Sequence, residues 1–380
     1  MFVYADQAAT TRIDERVLSA MMPYLKDGYG NAGSLHTLGE QARQALQTAR
    51  DQVAALIGAD AEEIYFTSGG TESNNWVIQS VAQSFRQQGK HFICTDVEHH
   101  AVLHPFEQLQ KQGYDVSYLH ADAQGRVEAW QLEQALRPDT VLISVMTANN
   151  ELGTIEPIES LAQIAAQHNV FFHTDAVAAV GHMPIDVRKT GVDFLSLSGH
   201  KFHAPKGVGA LYVRRGLELP AWMFGGGQER GKRPGTENMP AIVGLGRAAQ
   251  LAREHLSENM AYISGLRDRL RQGIAARIER CRFYTPTDGA LPGILNVAFA
   301  SVSGEAVLHL LDLRGICASA GSACNARQTE RSHVIQAIGA SEEYADGVVR
   351  FSLDQTNTPQ EVDDILHALT EIVSQLRKIS

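Results

Sequence analysis

Short apolar runs separated by helix-patterned segments are the feature that most constrains this chain. Glu63–Ser68 (EIYFTS), His91–Thr95 (HFICT), Val141–Met146 (VLISVM), Val170–Ala176 (VFFHTDA) and Phe194–Gly199 (FLSLSG) read as buried strands. Between several of them lie helix-like stretches such as Glu159–Asn169 (ESLAQIAAQHN). That alternation predicts an α/β fold, a mainly parallel sheet covered by helices. Gly207–Arg215 (GVGALYVRR) adds one more strand. From Leu251 to Arg282 the pattern turns helical and charged. Beyond it come Gly293–Ala300, a run of small residues at 317–327, Val348–Leu353 and a helix from Pro359. The pattern predicts a large domain over 13–255, with 1–12 and 256–380 forming a smaller α+β domain after a long linking helix.

Composition limits the partners. The chain has 380 residues and is 44% hydrophobic, enough for a large core and a second, smaller one. Lys plus Arg total 33 against 43 Asp plus Glu, a net charge of -10. An acidic chain without a basic run is no general nucleic-acid binder. The start MFVYADQAATTR lacks a basic region followed by an apolar core, and no stretch reaches bilayer-spanning length. Cys94, Cys281, Cys317 and Cys324 have no metal-finger spacing, so no metal site is expected. The expectation is reduced thiols in the cytoplasm.

Four stretches could carry chemistry. In Phe66–Ser73 (FTSGGTES) a strand ends in Gly69 and Gly70, then Thr71 and a helical run. It is either an anion seat at a helix start or an ordinary strand–helix turn. Asp175 ends the apolar run FFHTD, where a sheet opens into its crevice; it could hold a cationic ring nitrogen or cap a helix. Ser196, Ser198, His200, Lys201 and His203 cluster behind another strand, and a lysine there can form a Schiff base. Lys206 is its rival within the same stretch. Gly225–Asn238 (GGGQERGKRPGTEN) offers Arg230, Arg233 and Thr236 for anion contact, or forms a surface loop. In this order, an anion seat, a strand-end acid and a lysine suit pyridoxal 5′-phosphate, which needs all three.

With these motifs in their order the chain resembles the NifS/IscS-type cysteine desulfurases, of the class V aminotransferase group with pyridoxal-phosphate fold type I. The likeness runs from DQAATT (Asp6–Thr11) to VRFSL (Val349–Leu353); SGHK, GGGQERGKRPGTEN and GSAC are its most specific pieces. It implies a seven-stranded, mainly parallel sheet in the cofactor-binding large domain. It makes Lys201 the Schiff-base lysine, Asp175 the ring-nitrogen partner and His99 the ring-stacking histidine active in proton transfer. Gly70, Thr71, Ser198 and His200 become cofactor contacts. Thr236 would reach the other subunit's phosphate across a homodimer. Asn150, in NNELG, and Arg350 would receive the substrate carboxylate. Cys324, among small residues, becomes the catalytic cysteine on a mobile loop. CNARQTERSH (324–333) resembles the longer loop of the IscS-like subgroup rather than the short RxGHHC type.

The implied reaction turns L-cysteine into L-alanine and leaves a persulfide on Cys324. That sulfur then goes to an acceptor such as an iron–sulfur scaffold, a tRNA-thiolation relay or another sulfur carrier. A selenocysteine lyase and a degenerate sulfur-carrier-docking protein are the alternatives. Three departures stand out. Ala178 replaces a common glutamine that hydrogen-bonds the cofactor's phenolic oxygen, Gln7 replaces asparagine, and GNAGS (30–34) replaces GNPSS. Cys94, Cys281 and Cys317 read as structural thiols.

Overall fold

The computed structural model describes residues 2–321 and 331–379. The strands are β1 (Val3–Tyr4), β2 (Ile64–Thr67), β3 (His91–Thr95), β4 (Asp115–Leu119), β5 (Thr140–Ser144), β6 (Phe171–Asp175), β7 (Phe194–Ser198), β8 (Gly209–Val213), β9 (Cys281–Phe283), β10 (Ile294–Phe299), β11 (Ile316–Cys317) and β12 (Val348–Ser352). The helices are α1 (Glu15–Lys26), α2 (Thr37–Ile57), α3 (Gly70–Ser84), α4 (His100–Lys111), α5 (Ala129–Ala135), α6 (Ile158–Gln167), α7 (Val187–Thr190), α8 (Met239–Arg277), α9 (Gly304–Asp312), α10 (His333–Ala337), α11 (Glu342–Ala345) and α12 (Pro359–Arg377).

The main sheet has seven strands in the order β2-β8-β7-β6-β5-β3-β4, and β8 is antiparallel to both its neighbours. The other pairings are parallel. Strands β3, β5, β6, β7 and β8 read as near-continuous apolar runs because helices cover both faces. Strand β4 escaped the sequence reading: it lies at the sheet edge and is only partly buried, so its apolar signal is diluted. His173 shows how a polar residue is kept inside this sheet. Its two ring nitrogens meet Ser144 Oγ and Ser196 Oγ on the flanking strands, at 2.8 and 3.0 Å.

A second sheet of three antiparallel strands, β12-β10-β9, packs under α12 and the far half of α8. The 39-residue α8 starts at the Asn238 cap with Pro240 in its first turn. Ala241 to Leu251 belong to the large core, while Leu266, Leu270 and Ile274 belong to the core around β10 and β12. Thr358 and Glu361 form a capping box at the start of α12, with Pro359 as its first residue. The N-terminal segment joins both regions. Strand β1 pairs with β11, Gln7 N–H donates to Ser352 O, and Thr11 N–H donates to His200 O. Cys94 is fully buried in β3; Cys281 and Cys317, on short strands, are partly buried. No helix among the described residues is long and apolar enough to cross a membrane.

Candidate active site

The carboxyl ends of β2, β3, β5, β6 and β7 open into one cleft of about 480 Å³, the place where open α/β sheets bind ligands. Each strand delivers a different group.

After β2 the chain turns through Gly69, at φ 151° and ψ −176°, straight into α3, whose first turn has no side-chain cap. Gly70 packs so closely that a Cβ there would stand 2.4 Å from Val177 Cγ2. Larger residues would push the helix start away from the cleft, so the glycines build an open N–H seat beside Thr71. The turn is braced from outside. Glu72 accepts the Ser68 N–H at 2.8 Å and holds Arg233 by two further hydrogen bonds.

After β3, His99 caps α4: its Nδ1 accepts the Ala101 N–H at 3.0 Å. With Nδ1 engaged as acceptor, a neutral ring carries its proton on Nε2. His100 turns the other way, with its ring 4.7 Å from that of His104 and 4.6 Å from that of His333. Burial and then the neighbouring His333, His104 and His99 lower its pKa to about 4.

Beyond β5, the Asn149 side chain folds the NNELG turn. Its Oδ1 accepts from Glu151 N–H and Leu152 N–H, and its Nδ2 donates to Val97 O. The turn thereby places Asn150 on the cleft wall. Asp175 ends β6 and is 6% exposed; Val177 N–H donates to Oδ1 and Asn74 Nδ2 to Oδ2.

Ser198 ends β7, and His200 and Lys201 follow in a single 3₁₀ turn. Lys201 Nζ donates to the carbonyls of Ala8 and Ala9 at 2.6 and 2.9 Å. Lys206 also lines the cleft but is exposed. His200 contacts Thr10 Oγ1 at 3.1 Å; burial, then Lys201 and Lys206, lower its pKa to about 4.

Arg350 enters from β12. Its guanidinium donates to Asn150 O at 2.9 Å and Asp6 Oδ1 at 2.8 Å, and its buried Nε meets no acceptor among the described residues. A buried guanidinium on a cleft wall suits a substrate carboxylate.

Gly70, Thr71, His99, Asn150, Asp175, Ser198, His200, Lys201 and Arg350 therefore share this cleft. Thr236 does not: it lines a separate hollow with Tyr24, Gly30 and Asn31. Cys324 lies outside the described residues, as does most of the run from Cys324 to His333. Ala178 lines the cleft beside Lys201. Asn74 and Met146, also on its wall, were not marked by the sequence reading. Asn74 lies one helical turn beyond Thr71, and that i+3 spacing was its available signal.

The donor set fits pyridoxal 5′-phosphate. An uncapped helix start with Thr71, Ser198 and His200 beside it suits a phosphate, and the strand-end Asp175 suits a protonated ring nitrogen. Lys201 supplies an amine in the same cleft.

Comparison with known proteins agrees with this geometry. The chain is 46% identical over 378 residues to cysteine desulfurase IscS of Methanosarcina thermophila, covering 100% of this chain and 93% of that one. A solved NifS-like protein superposes with a TM-score of 0.93 at 40% identity, covering 98% of this chain and 100% of that chain. SspA, solved in complex with cysteine, superposes with a TM-score of 0.83 at 40% identity over 92% of this chain and 98% of that one. The model of the aminotransferase class-V family matches residues 3–365. With the match spanning nearly its whole length, the chain belongs to the aminotransferase class-V family.

Proposed function

We infer that this chain is a pyridoxal 5′-phosphate-dependent cysteine desulfurase, which turns L-cysteine into L-alanine and passes the sulfur to an acceptor. One observation carries the reading. A lysine, a strand-end carboxylate, a ring-presenting histidine and an uncapped helix start converge in one cleft of a chain 46% identical to a cysteine desulfurase over its whole length.

The residue roles follow from chemistry and position. Gly70, Thr71, Ser198 and His200 hold the phosphate, Asp175 the ring nitrogen, His99 the ring face, and Lys201 the aldehyde carbon. When bound, the cofactor withdraws electrons from the amino acid attached to it. Arg350 and Asn150, both on the cleft wall, orient the substrate carboxylate. Cys324 takes the sulfur. In the net change the substrate Cβ–S bond breaks and an S–S bond forms on Cys324. The carbon keeps the electron pair and gains a proton equivalent to the one Cys324 gives up. An ordinary thiol ionises near ~8.5, so Cys324 needs a nearby proton acceptor to work at neutrality.

Two copies are expected to act together, with Thr236 completing the partner's phosphate site. In support, Thr236 lies outside its own chain's cleft, while Tyr29 in the same hollow and Phe224 before the glycine-rich loop are 78% and 92% exposed. The division into 13–255 and 1–12 with 256–380 is likewise proposed, supported by the two cores that α8 joins. An iron–sulfur scaffold or a tRNA-thiolation relay would suit the acceptor role, and the cytoplasm is the expected compartment.

The test is Cys324→Ala. Alanine release from L-cysteine should be lost while the bound cofactor's absorbance remains. In the unaltered protein, mass spectrometry after cysteine addition should find one extra sulfur on the Cys324 peptide. Full turnover by the variant, or the extra sulfur on Cys317, contradicts the assignment.

A further inference from the structure

Asp175 is held from behind by a residue that has so far no role. Asn74 lies on α3, fully buried. Its Nδ2 donates to Asp175 Oδ2 at 2.6 Å, while Val177 N–H donates to Oδ1 at 2.9 Å. Each carboxylate oxygen thus receives one neutral donor. The other end of the amide is left wanting, because Asn74 Oδ1 meets no donor among the described residues. A buried acceptor without a partner is costly, and each such case needs a reason. Here the reason is chemical. An ionised carboxylate only accepts, so the amide must turn its NH₂ toward Asp175 and its oxygen away.

Position adds a second argument. Asn74 shares α3 with the open helix start at Gly70 and Thr71. One rigid element therefore sets both the anion seat and the bearing of the strand-end carboxylate.

Glu98 is fully buried, and burial, then Asp175 among nearby acids, raises its carboxyl well above the usual range. Its Oε1 accepts from Met146 N–H at 2.8 Å and Thr95 Oγ1 at 2.9 Å. Lys201, Arg350 and His99 also line the cleft.

We propose that Asn74 is the positioning residue for Asp175: it fixes the carboxylate's orientation and keeps it a single charged partner for the cofactor's ring nitrogen. This rests on reading the cleft as a pyridoxal 5′-phosphate site. The test uses the full chain with Asn74→Asp and Asn74→Ala, stripped of cofactor. Pyridoxal 5′-phosphate affinity is titrated by absorbance from about pH 6 to about pH 9, alongside the melting temperature of the stripped protein. Asn74→Asp keeps the shape but brings two carboxyls into contact, and such a pair shares one proton. Its cofactor affinity should acquire a pH step that the unaltered chain lacks. Asn74→Ala should bind the cofactor about 10-fold more weakly, with KM for L-cysteine in the loaded enzyme within about twofold.

A purely structural role would lower the melting temperature and leave affinity and its pH profile in place; that result overturns the proposal. If the alanine variant does not fold, the near-isosteric Asn74→Asp decides by its pH profile alone. If the unaltered chain binds no pyridoxal 5′-phosphate, the reading of the cleft fails and this proposal with it. If it binds and Asn74→Asp matches it at every pH, only this proposal fails.

Discussion

Ala178 stands where two spaces meet. It lines the cleft beside Lys201 and also a small cavity of about 30 Å³ shared with Gln7 and His182. Two departures from the family pattern thus face the same few ångströms. Gln7 is 6% exposed; its side-chain amide donates a long 3.4 Å hydrogen bond to Thr356 Oγ1 and leaves Oε1 without a partner among the described residues. Ala178→Gln returns a donor to this corner. It is expected to raise pyridoxal 5′-phosphate affinity by up to about 10-fold, read by absorbance titration of the stripped protein. An unchanged or weaker affinity would mean that the corner is built around alanine. In NNELG, Asn149 spends its side chain on the turn and Asn150 borders the cleft. In HKFHAPKG, Lys201 is held by two carbonyls while Lys206 is exposed.

Among the elements, the glycine-rich loop carries a local conflict. Glu229 and Arg230 sit at φ 46° and 58°, a region that side chains with a Cβ seldom adopt. The surroundings hold them there. Arg50 on α2 grips both oxygens of Glu229 at 2.8 and 2.6 Å, and Phe66 N–H donates to the same carboxylate at 2.8 Å. Arg230 lies 3.9 Å over the Tyr65 ring and donates to Ile64 O. The loop that bears Thr236 is thereby tied to β2, the strand that leads into the phosphate seat. Glu229→Gln leaves the buried Arg50 without its countercharge and is expected to cost about 3–5 kcal/mol of stability. Chemical denaturation would read that loss. A cost below about 1 kcal/mol would show the pair to be dispensable. The sequence reading saw this stretch as anion contact or surface loop. In this structure Arg233 holds Glu72 and Arg230 holds Ile64 O.

For the whole molecule, buried titratable groups set the pH response. His91, His100, His173, His182 and His200 are all lowered, burial being the main cause; His100 and His200 fall to about 4 and His173 to about 3. In the unfolded chain they protonate near ~6.5. Below that pH the unfolded state binds more protons than the folded one, so stability falls as the solution turns acid. For the fully buried His173 the slope is up to ~1.4 kcal/mol per pH unit. Glu98 and Glu156 act in the opposite sense. Burial raises both, Glu156 to about 8. The folded state then keeps protons that the unfolded chain sheds above ~4.5, and stability declines as pH climbs toward 8. Five histidines outweigh two glutamates, so thermal melts should give a maximum near neutrality with the steeper limb on the acid side. A steeper alkaline limb would contradict this balance.

What the sequence determined by itself was the order of parts. Apolar strands alternating with helices impose a helix-covered sheet, because a strand buried on both faces leaves a continuous apolar run in the primary structure, as in β3, β5 and β7. Several cofactor-type residues stood out for a similar reason: Gly70, Thr71, Asp175, Ser198, His200 and Lys201 fall at or just beyond the end of such a run. The edge strand β4 and the two-residue strands β1 and β11 left no such mark, since a short or half-exposed strand carries little pattern. Only the tertiary structure decided what lies behind each functional group. Asn74 meets Asp175 across 101 positions, Arg350 meets Asn150 across 200, and Lys201 meets Ala8 across 193. Contacts of that span have no local signature, because they arise from how the sheet orders its strands and not from the residues beside them.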